Sequence, residues 1–164
     1  MNPLTTSLLC ATLAGAALVP AHAEGVVEVR FSSPENYADA GRSASDRDST
    51  EHTLRAHFAR LAQQLPDGQV LQIEVQDIDL AGELLPTSRG RDLRVLNGGA
   101  DWPRITLQYT LVADGKTLQS GTRRLVDMDY QSGIRPIDQR ELAYERRMID
   151  AWFEREFAAV KPAA

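Results

Sequence analysis

A two-layer α+β domain, in which a mainly antiparallel sheet carries two helices on one face in the order β-α-β-β-β-α, is the architecture this chain encodes. Three features of the sequence predict it. Ile105, Leu107, Tyr109 and Leu111 alternate with polar residues and run into the turn Ala113-Asp114-Gly115-Lys116, the pattern of a β-hairpin. Leu54, Phe58, Leu61 and Leu65 fall on one stripe of a helix. A second helix carries a broad apolar face of Leu142, Met148, Ile149, Trp152, Phe153 and Phe157. Both helical stripes must leave water, and a sheet with one apolar face buries them together.

The first strand is expected from Val26 to Phe31, where Val27, Val29 and Phe31 alternate with Glu28 and Arg30. Ser32 to Ser49 has no periodicity and reads as a loop. Asp48 and Glu51 suit a capping box for the first helix, which Pro66-Asp67-Gly68 then ends. In the strand from Val70, Leu71, Ile73 and Val75 face one way, after which parity passes to Ile78 and Leu80. That switch calls for a bulge near Gln76-Asp77. Ala81 to Pro103 is a long Gly- and Pro-containing connection of a kind that often carries function, and its apolar piece Leu93 to Leu96 equally suits an edge strand. In the hairpin's second strand, Thr117 to Tyr130, the pattern places Leu118, Val126, Met128 and Tyr130 on one face. The closing helix is expected from about Asp138 to Val160.

The 164 residues are 43% hydrophobic and 25% charged, the composition of a globular domain and not of a disordered or membrane chain. A net charge of −5 argues against a nucleic-acid partner, which would need a basic footprint. Leu8 to Val19 is an apolar run followed by Pro20 and Ala21-His22-Ala23, the small-x-small pattern read by signal peptidase. Cleavage is expected after Ala23, making residues 1–23 a signal peptide and residues 24–164 a single domain exported to the periplasm. The run of about 12 residues is shorter than the roughly 20 that span a bilayer, so no transmembrane segment is expected after cleavage. No Lys or Arg precedes it, which leaves room for a start codon upstream of Met1. Leu8-Leu9-Cys10 superficially resembles a lipidation box, but Leu9 is too large and the leader too short, so lipidation of Cys10 is not expected. Cys10 is the chain's one cysteine, and its loss with the leader leaves no material for disulfides, thiol chemistry or Cys-ligated zinc.

Chemistry-bearing residues are sparse. His52 and His57 stand five apart on the first helix, about 140° around it, so they cannot bind one metal as an i, i+4 pair would. Structural roles are expected, with His57 toward the apolar stripe and His52 toward solvent. The sequence has no Gly-x-Ser-x-Gly elbow and no phosphate-cradling glycine loop. Asp77, Asp79 and Glu83 end one strand while Asp127 and Asp129 end another, and neighbouring strands would bring these carboxylates together as oxygen ligands for Ca²⁺ or Mg²⁺. The competing reading pairs them with Arg104, Arg123 or Arg124, and it is the more economical. Asp101-Trp102-Pro103 stands at the start of the secure strand, where Trp102 is either a core anchor, the favoured reading, or an exposed binding aromatic.

Five blocks, "VEVRFSSPENYADAG", "IEVQDIDLAGE", "ADWPRITLQYTLVADG", "DMDY" and "YERRMIDAWFEREF", occur in this order over nearly all of the chain beyond the leader. Together they resemble a family of exported bacterial proteins catalogued as domain of unknown function 3016. The resemblance implies a secreted or periplasmic protein of Gram-negative bacteria and brings no activity, cofactor or catalytic residue with it. The functional expectation is a non-catalytic binding module of the cell envelope, with Arg94, Asp101 and Trp102 in the Ala81 to Trp102 connection meeting another envelope protein or a small ligand. No cofactor is expected. The alternative is a Ca²⁺- or Mg²⁺-binding sensor or cation-dependent enzyme built on Asp77, Asp79, Glu83, Asp127 and Asp129. A third reading is a homodimer joined through an exposed edge strand or the apolar face of the last helix.

Overall fold

The computed structural model describes residues 25–86, 93–132 and 141–158, so the expected leader and Cys10 lie outside the described residues. Four strands, β1 (Val26–Phe31), β2 (Gln69–Asp79), β5 (Arg104–Ala113) and β6 (Lys116–Val126), form one sheet in the order β1-β2-β5-β6. β1 runs parallel to β2, and the other two pairs are antiparallel. A parallel pair needs a crossover, which α1 (Ala44–Ala62) supplies between β1 and β2. The short strands β3 (Glu83–Leu85) and β4 (Leu93–Val95) make a separate antiparallel hairpin. α2 (Ala143–Phe157) closes the fold, giving the expected α+β order once that hairpin is set aside.

The core lies between the sheet and its helices. Leu71, Ile73 and Val75 of β2 and Ile105, Leu107, Tyr109 and Leu111 of β5 point inward, as period-2 alternation requires. Leu54, Phe58 and Leu61 of α1 and Met148, Ile149, Trp152, Phe153 and Phe157 of α2 meet them. Trp152 holds the centre, with edge-on contacts to Phe157 at 5.6 Å, Tyr109 at 5.7 Å and Phe58 at 6.3 Å between ring centroids. The apolar face of α2 is thus covered by its own domain and is not open for a dimer contact. The opposite face of the sheet is open and polar, lined by Glu28, Arg30, Gln72, Glu74, Gln108 and Thr110. Among the described residues, no helix is long and apolar enough to cross a membrane.

The expected bulge is present as a register shift between Val75 and Asp77, and it turns Ile78 inward. The hairpin turn forms with both Asp114 (φ 50°) and Gly115 (φ 71°) in the left-handed region, as a two-residue connection demands. Leu93–Val95 is a strand, but it pairs with β3 and not with the main sheet.

Three expectations are corrected. α1 begins one turn earlier than Asp48, because Ser43 and Asp46 form the capping box: each side chain accepts a hydrogen bond from the other's backbone N–H at 3.0 Å. α2 starts at Ala143, since Leu142 sits at φ 58° and a right-handed helix cannot run through that conformation. Residues 138–140 and 159–160 of the expected helix lie outside the described residues. β6 ends at Val126, where the Asp127 N–H turns to the Pro103 carbonyl, and its inward face is not the one expected. Register with β5 sets Leu125 opposite Ile105 and Gly121 opposite Tyr109, which directs Leu118 and Val126 outward. Met128 is 67% exposed, and Tyr130 is buried only because a turn intervenes before it.

Candidate functional site

The end of the sheet where β2 leaves for the β3–β4 hairpin gathers Asp39, Asp79, Glu83, Asp101 and Arg104. After β1 the chain makes a short 3-10 turn (Pro34–Asn36) and returns to the edge of β2: Asp39 N–H donates to the Ile78 carbonyl and Leu80 N–H to the Asp39 carbonyl. This one bridge sets Asp39 beside Asp79. An open cleft of about 440 Å³ lies here, lined by Asp39, Asp79, Glu83, Asn97, Asp101 and Arg104 among others. A second cleft of about 300 Å³ shares Asp39 and Leu84 with it.

Two of the carboxylates in this region are ion-paired. Arg94 of β4 donates to Asp39 Oδ2 at 2.8 Å and to the carbonyls of Ala81 and Gly82 at 3.2 Å, tying the hairpin's base to the sheet. Arg104 is ion-paired with Asp79. Asp101 Oδ2 accepts from the Asn97 N–H at 2.7 Å. Burial pushes the Asp101 carboxyl up, but hydrogen bonds from the Asn97 backbone and the Tyr130 hydroxyl outweigh it and hold the group below its ordinary value. Gly82 is required where the hairpin leaves the sheet: it sits at φ 81°, and an added Cβ would lie 2.5 Å from the Val95 carbonyl oxygen.

Beneath the cleft lies Glu145, 3% exposed, whose Oε1 accepts the Ala81 N–H at 2.8 Å. Burial raises its pKa, and the hydrogen bonds from Ala81 and its own backbone only partly offset this. The sequence reading missed both Glu145 and Asp39. Glu145 had a visible signal, since it lies on the same helical stripe as Met148, Ile149 and Trp152 and had to be buried with them. Asp39 sits in an aperiodic loop and had none.

The two groups of carboxylates do not converge. Asp77 accepts the Ala38 N–H at 2.9 Å on the exposed side, Asp79 goes to Arg104, and Glu83 is exposed at the cleft rim. Asp127 pairs with Arg147 at 2.7 Å, while Asp129 is exposed and its carbonyl accepts the Ser132 N–H. The physical reason is strand order: β2 and β6 are not neighbours, and at this level β5 places Arg104 opposite both Asp79 and Val126. Among the described residues, no three His, Cys, Asp or Glu side chains are grouped to hold a metal ion. Trp102 is half-buried and stands outside the core cluster, whose tryptophan is Trp152.

A separate polar contact joins the helices. His57 is 3% exposed, with Nε2 2.9 Å from Asp150 and Nδ1 3.3 Å from Arg60 Nη2, while His52 faces solvent. Because Arg60 has only protons to offer, Nδ1 is the acceptor, and the proton on Nε2 lies on the side of the Asp150 carboxylate. Burial lowers the His57 pKa against the pull of Asp150, which favours the neutral ring.

Fold and site together define an α+β domain with an ion-paired cleft beside a separate two-stranded hairpin. The chain belongs to the family described as "Protein of unknown function (DUF3016)", whose profile matches residues 25–155. No curated protein is similar enough to count as a relative. Among solved structures, one from Caulobacter crescentus CB15, described as a "putative lipoprotein", aligns over 84% of this chain and 93% of its own, at 18% identity and a TM-score of 0.34. That likeness is too slight to carry an argument.

Proposed function

We propose that this protein is a non-catalytic interaction module of the bacterial cell envelope, meeting another envelope protein or a small ligand through the Ala81 to Trp102 connection. The observation that carries the reading is the β3–β4 hairpin. Among the described residues its strands pair only with each other; it is anchored by Arg94 and Gly82, and Leu85, Leu93 and the adjoining Leu96 are 40%, 57% and 39% exposed. Exposed apolar side chains on an element outside the main sheet favour a partner surface. The cleft charges, by contrast, are spent on one another: Asp39 on Arg94 and Asp79 on Arg104. Arg94 and Asp101 then act as supports of the hairpin, and Trp102 as a half-buried aromatic at its foot. The envelope location rests on the apolar run and Ala21-His22-Ala23 of the sequence.

The test is site-directed photo-crosslinking in living cells, with a photoreactive side chain at Leu93 or Trp102 and a control at exposed Gln63. A discrete adduct in the envelope fraction from Leu93 and Trp102, absent from Gln63, is expected. Identical results at all three positions would overturn the hairpin as the contact surface, and recovery from the cytoplasm with residues 1–23 attached would overturn the location.

A further inference from the structure

β6 is an outer strand of the sheet, paired with β5 on one side from Lys116 to Val126 except at Leu118, where the register shifts. On the other side, alternate N–H and C=O groups of an edge strand point outward as a template for another strand. Among the described residues, the one further bond to a β6 backbone group is from Arg123 Nη1 to the neighbouring Thr122 carbonyl. The opposite edge differs: β1 has six residues, and Arg55 from α1 bonds the Val29 carbonyl and stacks 5.0 Å from the centre of the Phe31 ring.

β6 is also held extended before any partner arrives. On its helix side the Glu156 carboxylate of α2 accepts from Arg123 Nε at 2.9 Å, Arg123 Nη2 at 2.7 Å and Gln119 Nε2 at 2.8 Å. A template fixed in this way spares an incoming strand part of the ordering cost.

Charge selects the occupant. Lys116, Arg123 and Arg124 stand on β6 with no acidic residue between Lys116 and Val126, in a chain whose net charge is −5. Glu156 takes Arg123, whereas Lys116 and Arg124 have no ion-pair partner among the described residues. Two copies meeting edge to edge would bring two strands of like charge together, which disfavours self-pairing. Val126, 40% exposed, shares the open face with Arg124, and Leu118, 52% exposed, stands at the register shift of the strand.

We propose that β6 is a docking edge at which an extended acidic segment of another polypeptide adds as a further strand, its backbone pairing along Gln119–Val126 and its carboxylates on the open face beside Arg124, with Lys116 at the start of the strand on the other face. The proposal rests on the interaction-module reading and names a surface and a partner chemistry for it.

The test uses the purified protein and three fluorescent synthetic peptides: one alternating Val or Thr with Glu, one with Lys for Glu, and a Glu peptide N-methylated at alternate amides. Anisotropy is expected to show the Glu peptide binding about tenfold tighter than either of the others. Bound peptide should slow hydrogen exchange of alternate β6 amides, and R124E should weaken binding about tenfold with the circular dichroism spectrum unchanged. Absence of binding at millimolar Glu peptide, equal binding of the Lys or N-methylated peptide, protection elsewhere than β6, or a dimer that shields β6 would each overturn the proposal. Failure of the Glu peptide with the Leu93 crosslinks retained removes this inference alone and leaves the interaction-module reading standing.

Discussion

Glu145→Gln is the substitution whose effect the structure constrains most closely. The Glu145 carboxyl is buried, accepts the Ala81 N–H at 2.8 Å, and has a pKa raised by burial above its ordinary 4.5. A group held higher in the folded state than in the unfolded one binds more protons when folded, so its favourable contribution is complete below 4.5 and is lost as pH rises through the folded value. Glutamine keeps an acceptor for Ala81 and never ionises. Glu145→Gln should therefore become steadily more stable relative to wild type as pH rises above 4.5. Glu145→Ala leaves the Ala81 N–H without its acceptor and should cost about 1–3 kcal/mol, with a further term for the cavity. The assay is urea unfolding of the three proteins by circular dichroism from about pH 4 to about pH 8, comparing midpoints at constant m. A Gln variant that loses more stability at the alkaline end than at the acid end would show that the ionised carboxylate is the stabilising form, and would refute the reasoning.

Other outcomes follow from the same packing. Trp152→Ala, which empties the centre of the aromatic cluster, should cost about 3–5 kcal/mol and lower the melting temperature accordingly. His57 should titrate by NMR below 6.5; since the folded chain prefers the neutral ring, its contribution is present above 6.5 and is lost as pH falls through the folded value. Gly82→Ala forces a side chain into a left-handed conformation and against the Val95 carbonyl, at a cost of about 1–2 kcal/mol for the backbone alone, and should speed amide exchange in the β3–β4 hairpin. Millimolar Ca²⁺ or Mg²⁺ should leave the melting temperature unchanged, whereas a rise would point to a cation site, because a ligand that binds only the native state stabilises by RT ln(1 + [L]/Kd).

Alternation and helical stripes are properties of short stretches, and they suffice for the α+β class, the Asp-Gly hairpin, the bulge after Val75 and most of the core. The parity of apolar residues along β2 contains the bulge in plain form, because Ile78 and Leu80 cannot share a face with Val75 unless one residue is extra. β6 shows the limit of that reasoning. Leu118 and Val126 are the apolar residues a reader would turn inward, yet the pairing of Leu125 with Ile105 and Gly121 with Tyr109 sends them out.

Local pattern therefore determines which segments are strands and helices and which residues each could bury. Strand order and the fate of the carboxylates are decided by tertiary structure alone. Asp77, Asp79, Asp127 and Asp129 look convergent along the chain, but β5 intervenes and sets Arg104 between the two groups. Periodicity is a relation among neighbours in one segment, whereas charge pairing depends on which segments lie side by side, and no single stretch of sequence carries that information.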